Sequence, residues 1–232
     1  LNLYTPIVSR LERALTRAKT QRIVDLCSGG GGPWLRLSRS LQEVENGPVE
    51  ICLTDKYPNM EAFERVRGAS ENRINFHREP VDAMQPPKEL EGFRTLFSSF
   101  HHFEPEQARA ILKDAVKDRR GIGIFEMTAR TPLAVLFMVL APIITLLFTP
   151  FIRPFRWSRL VWTYVVPVAP VFAMFDGIVS CLRTYSASEL TELTSGLQDC
   201  GYTWEIGEEK AALSAVPVTY LVGYPAEETA AC

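Results

Sequence analysis

RIVDLCSGGGGPW, residues 22–34, is the stretch around which the rest of the chain is arranged. Its apolar run at residues 23–26 predicts a short buried strand. Four glycines at 29–32 follow, and Pro33 stands where a helix should begin, because the fixed φ of proline suits the first helical position. A strand, a glycine turn and a helix start bring bare backbone close to a ligand and direct amide N–H groups towards it.

Strands and helices continue to alternate after this turn. Short apolar runs predict six further strands, at residues 49–54, 73–77, 93–97, 121–126, 202–206 and 216–222. Strands that alternate with helices of this length are typical of a mostly parallel sheet with helices on both faces. We therefore expect a single α/β domain over residues 1–232, built on seven strands.

Several residues mark the helices of this domain. The first helix, within residues 1–20, is predicted to be amphipathic and to cover one sheet edge with three apolar residues, Ile7, Leu11 and Leu15. Asn59 is predicted to cap a helix, and Ser186 and Glu189 have the spacing of a capping box. The helix after Ser186 is predicted to carry a leucine stripe formed by Leu190, Leu193 and Leu197.

The composition is that of a folded protein without a strong charge. Hydrophobic residues make up 47% of the 232 residues, charged residues make up 22%, and the net charge is −2 at pH 7. This balance gives no general attraction to nucleic acid, so no nucleic-acid partner is predicted. The five cysteines are scattered without a pairing pattern, which indicates free thiols in a reducing compartment and favours a cytoplasmic location.

The order of motifs in residues 22–127, and more loosely in residues 186–224, resembles the class I S-adenosylmethionine-dependent methyltransferases. In that family the first strand leads into a D-x-G-x-G-x-G turn, which here reads Asp25-Leu26-Cys27-Ser28-Gly29-Gly30-Gly31. Gly29 and Gly31 match the pattern, and Cys27 replaces its first glycine. The resemblance implies a Rossmann-like methyltransferase fold, S-adenosylmethionine as the cofactor and methyl transfer as the activity.

The resemblance also implies a place for each part of the cofactor. The turn would hold the methionine part, with Asp25 oriented towards its amino group, and Asp55 would bond both ribose hydroxyls. The step Asp82-Ala83 would clasp the adenine, and Ser98 would lie under the sulfonium. The cofactor-binding candidates are Asp25, Cys27, Ser28, Gly29, Gly31, Asp55, Lys56, Asp82, Ala83 and Ser98. The positions of these residues agree with the place where open α/β sheets bind ligands, because the acidic candidates and Ser98 lie at or just after the predicted strand ends.

Two other kinds of ligand site fit the sequence less well. A nicotinamide-binding turn needs the pattern G-x-G-x-x-G, but the slot for its last glycine holds Trp34 or Leu35. For a metal site, His77 is the only histidine besides His101 and His102, and no ligand spacing is present. No metal is therefore predicted.

Three residues near the ends of the fourth and fifth strands are the catalytic candidates. His101 or His102 would act as a general base or a polar clamp beside the methyl group, since imidazole titrates near neutral pH. The alternative is that one of them caps a helix and the other fills the pocket wall. Glu126 would orient a substrate hydroxyl or amine, or else pair with Arg130 or Arg183.

The α/β pattern is interrupted at residues 131–185, for which we expect a helical lid whose apolar face forms the substrate pocket. Residues 132–152 and 160–175 are apolar, and Arg153, Arg156 and Arg159 lie between them. The alternatives are a peripheral membrane contact through residues 132–175 and a homodimer interface. A transmembrane hairpin is disfavoured, because it would put the arginines on the far side of the membrane and because its second segment is short.

These observations together favour a methyltransferase that uses S-adenosylmethionine to methylate a small apolar or amphipathic acceptor, at oxygen or nitrogen. Two alternatives stay open at this stage. One is a membrane-associated lipid or quinone methyltransferase, and the other is a non-catalytic binding protein that keeps the cofactor fold. Binding of S-adenosylhomocysteine separates the enzymes from the non-catalytic protein.

Overall fold

The computed structural model describes residues 4–41, 48–153, 155–197, 201–210 and 217–226. It divides the chain into two units, which we call the sheet unit (Leu1–Met127 with Ser186–Cys232) and the helical unit (Thr128–Tyr185). The helical unit takes in the predicted insertion at residues 131–185, and the role of that insertion as a lid stays a prediction.

The sheet unit is built on a mixed sheet of seven described strands. They are β1 (Arg22–Asp25), β2 (Glu50–Leu53), β3 (Ile74–Phe76), β4 (Phe93–Phe97), β5 (Ile122–Glu126), β6 (Tyr202–Glu209) and β7 (Val218–Pro225). Their order is β3-β2-β1-β4-β5-β7-β6. The first five strands are parallel, and β7 runs antiparallel to both β5 and β6. The predicted α/β fold is confirmed, although the predicted first residue of the last strand, Val216, lies outside the described residues.

The described helices surround this sheet or form the helical unit. In chain order they are α1 (Val8–Arg17), α2 (Trp34–Ser40), α3 (Met60–Ala69), α4 (Pro105–Lys117), α5 (Pro132–Val139), α6 (Ala141–Phe148), α7 (Trp157–Leu160), α8 (Val168–Arg183) and α9 (Ala187–Thr194). The helical unit contains α5 to α8, and a π-helical turn at Val161–Val165 follows α7.

The predicted helix caps are confirmed, but one helix is shorter than expected. The side chain of Asn59 accepts the N–H of Ala62 at the start of α3, and Ser186 and Glu189 form a capping box at the start of α9. The prediction that Leu197 continues the leucine stripe of α9 is wrong, because that helix ends at Thr194. Leu197 is nevertheless buried, in the segment that follows the helix.

The first helix packs against the sheet, and its three predicted apolar residues are buried. The side chains of Ile7, Leu11 and Leu15 are essentially inaccessible to solvent and belong to the main hydrophobic core. On α1, Arg10 pairs with two carboxylates of the edge strand β6, Glu205 at 2.8 Å and Glu209 at 2.6 Å. Apolar burial and a partly shielded ion pair together attach the start of the chain to the antiparallel side of the sheet.

The central strand β4 is buried along its whole length, although it contains an arginine. The guanidinium of Arg94 donates to Asp114 and to Asp118 at 2.8 Å each. Asp114 lies on α4, and Asp118 is the C-cap residue of that helix. A buried charge is tolerated only with such partners. This network ties the strand that precedes Ser98 to the helix that covers it.

Candidate active site

The carboxyl ends of β1, β2 and β4 lie side by side in the middle of the sheet. From β1 the sheet continues through β2 to β3 in one direction, and through β4 to β5 in the other. The strand order therefore reverses between β1 and β4, and open parallel sheets bind ligands at such a point. Asp25 ends β1, Ser98 follows β4, and Asp55 follows β2, so three predicted site residues share this edge.

The glycine turn after β1 is fixed by backbone hydrogen bonds. The N–H of Ser28 donates to the carbonyl of Thr54 at 2.9 Å, and the N–H of Gly31 donates to the carbonyl of Ser28 at 2.8 Å. Cys27 and Gly29 both have left-handed backbones, with φ of +59° and +53°. Cys27 thus adopts a conformation that glycine enters freely, and its presence in place of the family's glycine leaves the turn intact. Burial raises the pKa of its thiol to about 12.

Two neighbouring glycines of the turn meet very different surroundings. A Cβ atom on Gly31 would lie 2.5 Å from Cγ2 of Val66 on α3, and its φ of +105° is one that other residues rarely adopt. Gly31 is therefore required for the turn to pack against α3. A Cβ atom on Gly30 would meet no atom within 4 Å. Gly30 presents bare, exposed backbone to open space, as a turn that receives a ligand should.

Asp25 is buried behind the turn, with 1% of its surface exposed. Its Oδ2 accepts the hydroxyl of Ser28 at 2.6 Å, and its Oδ1 accepts the hydroxyl of Thr95 on β4 at 2.7 Å. Burial raises the pKa of Asp25 to about 6, against the lowering effect of the two hydroxyls. The carboxylate therefore joins β1, the turn and β4, and its predicted orientation towards a ligand's amino group stays a prediction.

Asp55 connects the end of β2 to the same turn. Its Oδ2 accepts the N–H of Gly29 at 2.7 Å, and its Oδ1 accepts the N–H of Tyr57 at 2.8 Å. The side chain is only half buried. Each carboxylate oxygen has a second lone pair, so both can still accept a ligand hydroxyl.

The segment after β3 lies next to Asp55. The N–H of Val81 donates to the carbonyl of Asp55 at 2.9 Å, and the exposed ammonium of Lys56 lies 2.9 Å from Oδ2 of Asp82. The hydrogen bond from Lys56 lowers the pKa of the Asp82 carboxyl. Ala83 is buried beside it. The structure thus brings the predicted ribose and adenine residues together on adjacent turns.

Ser98 has a partner that the sequence did not indicate. Its Oγ lies 2.7 Å from the hydroxyl of Tyr4 and accepts the N–H of Met127 at 3.3 Å. Ser98 also has a left-handed backbone, with φ of +44°, which is unusual outside glycine and concentrates at functional sites. Tyr4 is buried, and this burial raises the pKa of its phenol. No motif surrounds Tyr4, so only the folded chain could reveal the contact.

His101 and Glu126 form a buried pair at the ends of β4 and β5. Nδ1 of His101 lies 2.6 Å from Oε2 of Glu126, and Oε1 of Glu126 accepts the N–H of Phe100 at 2.7 Å. His101 is 3% exposed. His102 is exposed, with its ring centroid 4.3 Å from that of His101. The structure therefore places the two histidines in different environments, and it pairs Glu126 with an imidazole.

A separate cleft of about 640 Å³ lies at the opposite edge of the sheet, where β1 and β2 begin. Arg22 and Glu50 line it, together with residues that follow α1. Parallel α/β sheets bind ligands at the carboxyl ends of their strands rather than at the amino ends. We therefore do not assign this cleft to a cofactor.

Comparison with known proteins gives similarity in structure but not in sequence. No family model and no curated protein sequence matches the chain. Among solved structures, the methyltransferase domain of bacterial CtHen1-C is 12% identical, with a TM-score of 0.54 over 97% of this chain and 99% of that one. PigF with SAH is 14% identical (TM-score 0.51), and the S-adenosylmethionine-dependent methyltransferase SibL is 13% identical (TM-score 0.53).

The extent of these matches differs. The chain spans almost all of the CtHen1 domain but about half the length of PigF and SibL, 55% of each. At such low identity the likeness concerns the course of the backbone. With the strand order and the glycine turn described above, it leads to one conclusion: the protein has the class I S-adenosylmethionine-dependent methyltransferase fold.

Proposed function

We propose that the chain binds S-adenosylmethionine at the carboxyl ends of β1, β2 and β4, and methylates a small apolar or amphipathic acceptor at oxygen or nitrogen. The observation that carries this proposal is the hydrogen bond from the N–H of Gly29 to Asp55. It joins the two elements that an adenosyl ligand must contact at once, namely the glycine turn and the carboxylate after the second strand.

The residues present fit this cofactor. Bare backbone at Gly30 leaves open space beside the turn, so a ligand can approach the main chain closely. Asp55 offers two carboxylate oxygens of suitable spacing for a pair of vicinal hydroxyls. Asp82 and Ala83 supply an acidic and an apolar contact for a purine, on a segment that is itself bonded to Asp55.

When bound, S-adenosylmethionine supplies an electrophilic methyl group on a sulfonium. The protein must then hold the acceptor in line with that group, and positioning alone removes several kcal/mol of the barrier. We propose that the imidazole of His101 takes up the proton that the acceptor loses. A carboxylate next to Nδ1 favours the tautomer with the proton on that nitrogen, which leaves Nε2 as the base for a hydroxyl or amine. Glu126 positions the ring through its contact with Nδ1.

Calorimetric titration with S-adenosylhomocysteine tests the cofactor site. We expect the parent chain to bind and Asp55→Ala to lose at least about tenfold in affinity, because a charged acceptor of two hydroxyls is removed. Glu50→Ala is the matched control, since it removes a carboxylate from the exposed opposite end of the same strand. Equal affinity in the parent and Asp55→Ala, or no binding by the parent chain, would overturn the proposal.

A further inference from the structure

The helical unit exposes its large apolar side chains. Leu147 is 62% exposed, Phe172 64%, Phe175 65% and Trp157 75%. Among the described residues, Tyr57 is the one comparably exposed large apolar residue of the sheet unit. A soluble domain rarely leaves so much apolar surface unpartnered, so this surface is built for contact with something apolar.

The interior of the same unit is small and weakly polar. Among its described residues, the buried ones are Ala129, Ala134, Thr149, Thr163, Pro170, Ser180, Cys181 and Thr184. The side chain of Met138 on α5 packs directly against the backbone of Gly177 on α8, since a Cβ atom there would lie 2.6 Å from the methionine sulfur. Small residues between helices and large apolar residues outside are the arrangement of helices packed in lipid.

Three hydroxyls of the unit are satisfied by backbone carbonyls within it. The hydroxyl of Thr145 donates to the carbonyl of Ala141 at 3.0 Å, and that of Thr149 donates to the carbonyl of Thr145 at 2.6 Å. The hydroxyl of Tyr164 donates to the carbonyl of Leu146. These bonds lower the cost of placing the three hydroxyls in a medium that offers no hydrogen bonds.

The exposed apolar residues of α6 cover more than half of its circumference rather than one narrow stripe. At about 100° per residue, Leu146, Ile143 and Phe148 span about 200° of the helix circumference, and all three are exposed. A second copy of the chain would cover one face of this helix, whereas acyl chains cover every exposed side. The breadth of the surface therefore favours lipid over a protein partner.

Length and charge also match a bilayer. The continuous helical segment Pro132–Phe151 has 20 residues and is apolar and long enough to cross a membrane, and 11% of its most apolar stretch is buried. Arg130 precedes it, and Arg153 and Arg156 follow it, together with the exposed Trp157. Arginine is attracted to lipid phosphate, and tryptophan is enriched at the membrane–water boundary.

We propose that the helical unit inserts into a phospholipid bilayer, with the exposed apolar side chains of α5, α6 and α8 among the acyl chains and the flanking arginines at the lipid phosphates. The two chain ends of the unit meet, since the hydroxyls of Thr128 and Thr184 lie 2.6 Å apart. Both ends of the unit therefore lie on the same side of the membrane, and the unit enters the bilayer from that side. Insertion requires neither cofactor nor acceptor, so it can fail or succeed independently of the proposed methyl transfer.

Flotation of the full chain with vesicles tests the proposal. We expect the parent to float with vesicles of phosphatidylcholine and phosphatidylglycerol without any added cofactor. The triple variant Leu147→Ser, Phe172→Ser and Phe175→Ser should partition at least about tenfold less, because three exposed apolar side chains leave the lipid. The matched control replaces three exposed residues of the sheet unit, Glu106→Ser, Lys113→Ser and Glu192→Ser, and should float like the parent.

A second variant tests the phosphate contact. Arg153→Gln, Arg156→Gln and Arg159→Gln together should weaken binding to the anionic vesicles by at least about tenfold and leave binding to pure phosphatidylcholine almost unchanged. Circular dichroism verifies that each variant is folded. A parent chain that does not float with the vesicles, or a serine variant that floats like the parent, overturns the proposal. So does a parent chain that forms a dimer in solution and does not float, since a second copy would then cover the surface.

Discussion

Asp25 ends β1 and Asp55 follows the neighbouring parallel strand β2, but the two carboxylates make different contacts. Asp25 is buried, and its two oxygens accept side-chain hydroxyls from the turn and from β4. Asp55 is half exposed, and its oxygens accept backbone N–H groups while keeping lone pairs towards solvent. The comparison teaches that the site has a buried half, which holds its shape, and an exposed half, which is left for a ligand. Substitutions in the two halves should therefore have different effects.

The largest effect is expected from the buried pair of His101 and Glu126. His101→Ala should lower turnover by about 10²- to 10⁴-fold, because the base is lost. The affinity for S-adenosylhomocysteine should change by less than about threefold, which calorimetry measures. His102→Ala is the matched control, and we expect a much smaller loss since that ring is exposed. Unchanged turnover in both variants would remove the histidines from the mechanism.

Asp25 should make stability depend on pH. Burial raises its pKa from 3.8 to about 6 in the folded chain, so the folded state favours the protonated carboxyl. The stability that this group contributes is present below about pH 4 and is lost as the pH rises through about 6, a loss of about 2–3 kcal/mol. Urea unfolding of the parent and of Asp25→Asn between pH 4 and 7 measures it. A difference between the two that does not vary with pH would contradict the assignment.

Gly31 and Gly30 should respond to alanine in opposite ways. Gly31→Ala should lower the free energy of unfolding by about 2 kcal/mol, because the new methyl group collides with Val66 and the backbone is strained. Gly30→Ala should leave stability within about 0.5 kcal/mol but reduce S-adenosylhomocysteine affinity by about tenfold or more. Urea unfolding and calorimetry measure the two quantities. Full affinity in Gly30→Ala would mean that no ligand approaches this backbone.

The smallest effect is expected at Lys56. Its ammonium is exposed and pairs with Asp82 at the surface, where such pairs contribute little. Lys56→Ala should change the affinity for S-adenosylhomocysteine by less than about threefold, whereas Asp82→Ala should change it more. A larger loss in Lys56→Ala than in Asp82→Ala would show that the lysine itself contacts the ligand.

The course of the sheet could be predicted because its signals are local. Apolar runs bounded by turns marked the strands, and the observed bounds lie within a few residues of the expected ones. Asn59, Ser186 and Glu189 were recognisable as caps because capping needs particular side chains at fixed spacing. Leu197 was misassigned because a leucine stripe shows which side chains are apolar but does not show where hydrogen bonding stops.

The contacts within the candidate site could not be predicted, because they join distant parts of the chain. The pair of Tyr4 and Ser98 spans 94 positions, and that of Thr95 and Asp25 spans 70. Arg94 is a similar case, since an arginine in an apolar run becomes acceptable only when α4 supplies two carboxylates. The sequence offers Arg130 or Arg183 as a partner for Glu126, whereas its pairing with His101 depends on how β5 lies against the end of β4.

The contact between Thr128 and Thr184 has a consequence for how this chain could change in evolution. The segment between these residues begins and ends at one place, as a single loop does. Insertions whose ends are close can be lengthened, shortened or exchanged without stretching the structure that carries them. Homologous chains with the same sheet can thus differ freely in this segment, and acquire or lose its apolar surface in one genetic event.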